Sequence, residues 1–180
     1  MTVQVAMLRG INVGGQKIVK MESLRMSFEA LGFRRVRTYV QSGNVIFEAT
    51  KTSNDNLSSI IEERILSDFG FSVPLLLRTS GEMEKIVSDN PFLAERGIDR
   101  SRLHVSFLST SPAEAGLRKL DALDALPDRF SVKGREVYLH CPNGYGRTKL
   151  SNNALEKLLL VEATTRNWKT VIALVGMSSE

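Results

Sequence analysis

The sequence predicts an α+β chain whose first half follows the order strand-helix-strand-strand-helix-strand. Three observations predict it. Short runs of alternating or continuous apolar residues lie at 3–8, 36–47 and 73–78. Apolar residues recur at helical spacing over 21–31 and 57–69. Glycine, asparagine or serine marks the junctions between these runs.

Val3, Val5 and Met7 alternate with Gln4, Ala6 and Leu8, which reads as a half-buried first strand. After the loop Gly10-Ile11-Asn12-Val13-Gly14-Gly15, a helix carries Met21, Leu24, Phe28 and Leu31, with Gly32 as its C-terminal stop. Val36, Thr38 and Val40 form the second strand, Ser42-Gly43-Asn44 a tight turn, and Val45-Ile46-Phe47 begins the third. Asn54 or Asp55 is suited to cap a second helix with the stripe Leu57, Ile60, Ile61, Ile65 and Phe69, ending at Gly70. Val73 to Arg78 is the fourth strand. The order is that of the ferredoxin-like, or split βαβ, arrangement.

Ser80 then caps a short helix through Val87, which Asn90-Pro91 ends. A strand (Leu103 to Leu108), a helix (Pro112 to Leu123), a strand pair around Lys133-Gly134-Arg135 and two helices (Asn152 to Val161, Trp168 to Val175) complete the chain. The second half therefore reads β-α-β-β-α, a shortened echo of the first with little residue-level self-similarity. The expected division is a ferredoxin-like subdomain over residues 1–90 and a second α+β subdomain with two C-terminal helices over 91–180. Polar residues replace periodic ones between Asn90 and Arg102, and Lys51 to Asn56 reads as a surface loop.

With 180 residues, 42% hydrophobic and 24% charged, the chain is long and apolar enough to build a core. No apolar run approaches the ~20 residues that cross a bilayer. Met1 to Arg9 lacks the pattern of a secretory signal. The single cysteine, Cys141, permits no intrachain disulfide. A cytoplasmic protein with no membrane partner is the expectation. Charge is uneven: residues 1–37 carry seven Lys/Arg against two acids, 38–132 ten against fourteen, and 133–179 seven against three. Basic ends of this kind attract phosphates or nucleic acid, and the same distribution also arises on an ordinary solvated surface.

Five motifs in order carry a family resemblance: Arg9-Gly10-Ile11-Asn12-Val13-Gly14-Gly15, Thr38-Tyr39-Val40-Gln41-Ser42-Gly43-Asn44, Asn90-Pro91-Phe92, Tyr145-Gly146-Arg147-Thr148-Lys149 and Arg166-Asn167-Trp168-Lys169-Thr170. In these the chain resembles the family catalogued as domain of unknown function 1697. Lys169 stands where that family more usually has asparagine, and Thr148 where it has serine. The resemblance implies an α+β fold with a ferredoxin-like part, and no activity or catalytic residue comes with it.

The strand order has a chemical consequence. Strands one and two run the same way with strand three antiparallel between them, so the end of strand one and the turn between strands two and three share an edge. Arg9, Asn12, Gly14, Gly15 and Lys17 thus approach Gln41, Ser42 and Asn44. Glycines let backbone N–H groups near a ligand, and two cations beside a helix start suit a phosphate. The glycine spacing matches neither the dinucleotide fingerprint nor the P-loop, and the same residues equally serve plain turns. A second basic loop, Asn143 to Asn152, offers Arg147, Thr148 and Lys149 to phosphate and Tyr145 to a base, with Ser151 as helix cap. Arg166 adds a cation in a third segment, where Asn167 caps the last helix and Trp168 reads as core ahead of Val171, Ile172 and Val175.

No metal or cofactor is expected, because His104 and His140 sit singly in strands and Cys141 shares the apolar face of Val137 and Leu139. No Gly-x-Ser-x-Gly elbow exists, and Glu62 and Glu63 read as solvated charges on a helix face. The leading reading is a module that binds a phosphate-bearing small molecule, nucleotide or nucleic acid through the two basic Gly-rich loops. The alternatives are an enzyme acting on a small phosphorylated substrate and a non-catalytic scaffold. For the enzyme, Arg9, Lys17, Arg147 and Lys149 would be electrostatic groups and no residue offers itself as general base.

Overall fold

The computed structural model describes residues 1–50 and 54–180. By internal packing they fall into two compact units, Met1–Glu84 with Leu174–Glu180, and Lys85–Ala173.

In the first unit, β1 (Thr2–Leu8) is the strand around which the sheet is built. It pairs antiparallel with β3 (Asn44–Ala49) on one side and β4 (Leu75–Thr79) on the other, and β2 (Arg34–Tyr39) pairs with β3, giving the order β2-β3-β1-β4. Helices α1 (Met21–Ala30) and α2 (Asn54–Phe69) cover one face. Leu24, Phe28, Leu57, Ile61 and Ile65 from the helices meet Ala6, Leu8, Val45, Phe47 and Leu77 from the strands in a single core. Burial of each leucine, isoleucine, valine or phenylalanine among them contributes about 1.5–3 kcal/mol. Phe47 meets Phe28 and Phe33 at ring-centroid distances of 5.2 and 4.6 Å.

Several details differ from the sequence reading. Ile60, placed in the buried stripe of α2, is 46% exposed. Glu62 is half-buried and its Oε1 accepts the Leu75 N–H at 3.2 Å, so this carboxylate ties α2 to β4 instead of facing solvent. Asn54 to Asn56, read as loop, open α2, while Lys51 to Ser53 lie outside the described residues, as does the capping role assigned to the Asn54 side chain. Helix α3 (Ser80–Ser88) is capped by Thr79 and not by Ser80. The Thr79 hydroxyl accepts the Glu82 N–H at 3.2 Å and Glu82 Oε2 accepts the Thr79 N–H at 2.8 Å, the reciprocal capping box of a Thr-x-x-Glu run.

The second unit repeats the plan in full. Strands β5 (Leu103–Leu108), β6 (Arg129–Lys133), β7 (Glu136–His140) and β8 (Ala163–Asn167) form a sheet of order β6-β7-β5-β8. Helices α4 (Glu114–Asp121) and α5 (Asn152–Leu159) alternate with these strands, and α6 (Trp168–Ser178) follows β8. The fourth strand is the element the sequence reading omitted. Ala163-Thr164-Thr165-Arg166-Asn167 has no apolar alternation, and its β structure comes from pairing with β5 from His104↔Asn167 to Leu108↔Ala163.

The repeat extends to single hydrogen bonds. Val5 pairs with Arg78 in the first sheet as Val105 pairs with Arg166 in the second. The Leu8 N–H donates to Gly43 O at 2.8 Å as Leu108 N–H donates to Arg135 O at 2.8 Å, and Arg9 N–H to Pro74 O as Ser109 N–H to Glu162 O, both at 2.9 Å.

Candidate functional site

The first unit brings its two glycine-bearing bends together, as the strand order requires: Met7 is paired with Asn44, and Asn12 Nδ2 donates to Gln41 O at 2.9 Å. Asn12 spends its whole side chain on this closure. Nδ2 also donates to Val19 O at 2.9 Å, and Oδ1 accepts the Val19 N–H at 2.8 Å. Gly14 and Gly15, at φ +58° and +72°, form a two-residue turn closed by Gln16 N–H to Val13 O at 3.0 Å. Asn44 is fully buried and clasps its own turn through Tyr39 O and the Ser42 hydroxyl. Lys17 Nζ donates to Ser72 O at 2.7 Å, and Arg9 is half-exposed at the end of β1.

In the second unit the basic loop is likewise occupied. Thr148 Oγ1 accepts the Leu150 N–H at 3.0 Å, Lys149 Nζ donates to Asp124 O at 3.0 Å, and Ser151 caps α5 by accepting the Ala154 N–H at 3.2 Å. Arg166 is 7% exposed, donates to Thr164 Oγ1 and Thr165 O, and burial pulls its guanidinium down to about 10. Arg147 stays exposed. Tyr145, read as a platform for a base, is already stacked on His104, with ring centroids 4.7 Å apart.

That stacking leads to a site the sequence reading passed over. His104 lies on the helix-covered face of β5, where its register partner is Asn167 at the start of α6. A cleft of about 550 Å³ opens there, lined by His104, Asn167, Trp168 and Ile172 together with Arg100 and Lys169. Trp168 is 4% exposed and Ile172 45%, so the lining grades from a buried indole to an open apolar rim. Arg100 and Lys169 are exposed, and neither side chain pairs with any described residue. Nδ1 of His104 is buried. Burial holds the imidazole below its usual value, and a hydrogen bond to the Arg102 backbone offsets part of that shift.

The ring is fixed from behind. The Tyr145 hydroxyl accepts the Asn152 N–H at 2.8 Å, Asn152 Oδ1 accepts the Thr165 hydroxyl at 3.0 Å, and Ser106 Oγ lies 2.7 Å from Thr165 Oγ1. Since the Thr165 proton goes to Asn152, the Ser106 hydroxyl is the donor in that last bond. Among the described residues no three His, Cys, Asp or Glu side chains stand close enough to hold a metal ion. Cys141 is buried in the second unit's core, and burial pushes its thiol up.

The family model described as protein of unknown function (DUF1697) matches residues 1–138. The chain belongs to this family. Within DUF1697, its Arg100 and His104 fall inside the matched segment, whereas the motifs at Tyr145–Lys149 and Arg166–Thr170 lie beyond it. None of the curated proteins matches the chain. A solved structure of a conserved bacterial protein from Streptococcus pneumoniae aligns with it at a TM-score of 0.80 and 23% identity. The alignment covers 100% of this chain and 99% of that one, so the DUF1697 chain shares the whole fold. No described helix is long and apolar enough to cross a membrane.

Arg100, His104, Lys169 and Ile172 are the residues the sequence reading missed. The available signals were the alternation Arg100-x-Arg102-x-His104 entering a strand, and Lys169 itself, noted only as a departure from the usual asparagine.

Proposed function

We propose that this chain binds a phosphate-bearing ligand that also carries a flat ring, of which a nucleotide is the simplest example, in the His104–Trp168 cleft. One observation carries the reading: an indole and an aliphatic side chain line the same cleft as two unpaired cations and an imidazole. Apolar walls with a few convergent donors are the usual composition of a small-ligand site, and its volume lies within the roughly 300–1,000 Å³ such sites occupy. The ring of the ligand is expected against Trp168 and Ile172. Its phosphate is expected against Arg100 and Lys169, which have only hydrogens to donate.

The Gly-rich loops do a different job in this reading. Asn12, Asn44, Thr148 and Lys149 have their hydrogen bonds committed to the backbone, which supports a role in closing the fold. A thermal-shift screen of nucleotides, nucleosides and sugar phosphates tests the proposal. Nucleotides should raise Tm, more than either the matching nucleosides or the sugar phosphates, and Lys169→Ala should remove most of the rise. Equal shifts for all three classes, or none, would refute it.

A further inference from the structure

Arg100 and Ser101 line the His104–Trp168 cleft, and their immediate neighbours Asp99 and Arg102 line another. The second cleft, of about 440 Å³, is walled by Arg96, Asp99, Arg102, Arg129 and His140. The segment between them, Arg100–Arg102, is a single 3-10 turn rising about 2 Å per residue, so only about 6 Å of chain separates the two.

The charges of the second cleft resolve one by one. Arg129 is held by Glu95 through two bonds of 2.8 and 2.7 Å and lies over the Phe92 ring at 5.1 Å. Its Nη2 is 3.2 Å from His140 Nδ1. A guanidinium can only donate, so Nδ1 is the acceptor in that contact. Asp99 Oδ1 is taken by the Ser101 N–H and hydroxyl at 3.0 and 2.7 Å, and its other oxygen is 3.9 Å from Arg102. Both carboxylates are thus engaged. Arg96 has no partner among the described residues, and Arg102 has only that distant one. A row of donors without matching acceptors remains, which suits a second anion.

We infer that the ligand is a single-stranded nucleic acid, with one base in the His104–Trp168 cleft and a neighbouring backbone phosphate held by Arg96 and Arg102 in the adjoining cleft. The inference rests on the nucleotide reading above and extends it. Each cleft alone has the volume of a small-ligand site, so a mononucleotide fills one and a strand is needed to occupy both. Stacking on an aromatic wall combined with arginine contacts to phosphate is the sequence-tolerant mode of single-strand binding.

Fluorescence anisotropy of a labelled short single strand of mixed sequence, as RNA and as DNA, tests this, with unlabelled mononucleotides as competitors. The strand should bind at least about tenfold more tightly than the mononucleotide through its added contacts. Arg96→Ala with Arg102→Ala should lower the slope of log K against log salt by about 0.7 per lost phosphate contact and leave mononucleotide affinity unchanged. Arg96→Glu, at an exposed and unpaired position, serves if the double variant does not fold, and should weaken the strand alone. Mononucleotide binding with no gain for the strand overturns this inference and leaves the nucleotide reading standing. A double variant that binds the strand as the parent does overturns it too. Failure of mononucleotides to bind the parent chain overturns both.

Discussion

The imidazole of His104 lies against the phenol ring of Tyr145, centroids 4.7 Å apart and planes 22° apart, while the Tyr145 hydroxyl accepts the Asn152 N–H at 2.8 Å. One aromatic side chain therefore links the cleft to the start of α5. Tyr145→Phe keeps the stack and strands the Asn152 N–H. Removing the partner of a half-buried donor costs about 1–3 kcal/mol. Urea unfolding should show that loss, with ligand affinity at the cleft little changed.

His104 also sets a pH dependence. Burial lowers its folded-state value below the ordinary 6.5, so on acidification the unfolded chain takes this proton first. More protons on the unfolded state means that stability rises with pH across this interval and falls as pH drops below about 6.5. His104→Gln should flatten that part of the profile. Asp68, Glu95 and Asp99, held low chiefly by hydrogen bonds from Ser27, Arg129 and Ser101, give up their contributions only at lower pH, as the carboxylates protonate. Denaturant titrations of both chains between about pH 7 and 5 check the claim, and parallel profiles would count against it.

Asn12 anchors the 10–19 loop with three hydrogen bonds from a backbone at φ +54°. Asn12→Ala loses all three and places alanine in the left-handed region, for an expected cost of about 2–4 kcal/mol. Asn12→Gly should recover only the conformational part. If the loop bound the ligand directly, Asn12→Ala would abolish the thermal shift given by nucleotides; fold closure alone predicts a lower Tm with the ligand-induced shift retained.

Two glycines of the same region should separate in their tolerance. A Cβ on Gly43, at φ +85°, would sit 2.6 Å from Ile11 Cδ1 and 3.0 Å from Leu8 Cβ, so Gly43→Ala combines overpacking with strain at about 2–4 kcal/mol. Gly14, at φ +58°, has nothing within 4 Å, and Gly14→Ala should cost only the conformational part, about 1 kcal/mol. Tm measurements on the two variants give the ordering directly.

Much of the fold was legible where a local signal and the global arrangement agreed. The β1 alternation, the α1 stripe closed by Gly32 at φ +84° and the Ser42–Asn44 turn each carry their own period or punctuation. Strand β8 was not, because Thr164, Thr165 and Arg166 have no apolar alternation and owe their conformation to β5. The same override hid the α3 cap: Ser80 and Thr79 are chemically equal candidates, and only Glu82 three residues on distinguishes them. The convergence of residues 9–17 with 41–44 followed from strand order, but which side chains kept a free donor did not. The cleft joins residues 100–104 to 167–172 through the one strand pairing that the sequence reading lacked, so it could not be assembled from local pattern.

The most direct test uses the chain's single tryptophan, which lines the cleft itself. Titration with a mononucleotide should change Trp168 fluorescence saturably, weaken as salt rises, and shift to higher concentration by about tenfold in Arg100→Ala with Lys169→Ala, as two charge-assisted contacts are lost. An emission spectrum that stays unchanged at saturating nucleotide, or a response identical in that double variant, would contradict binding at this site.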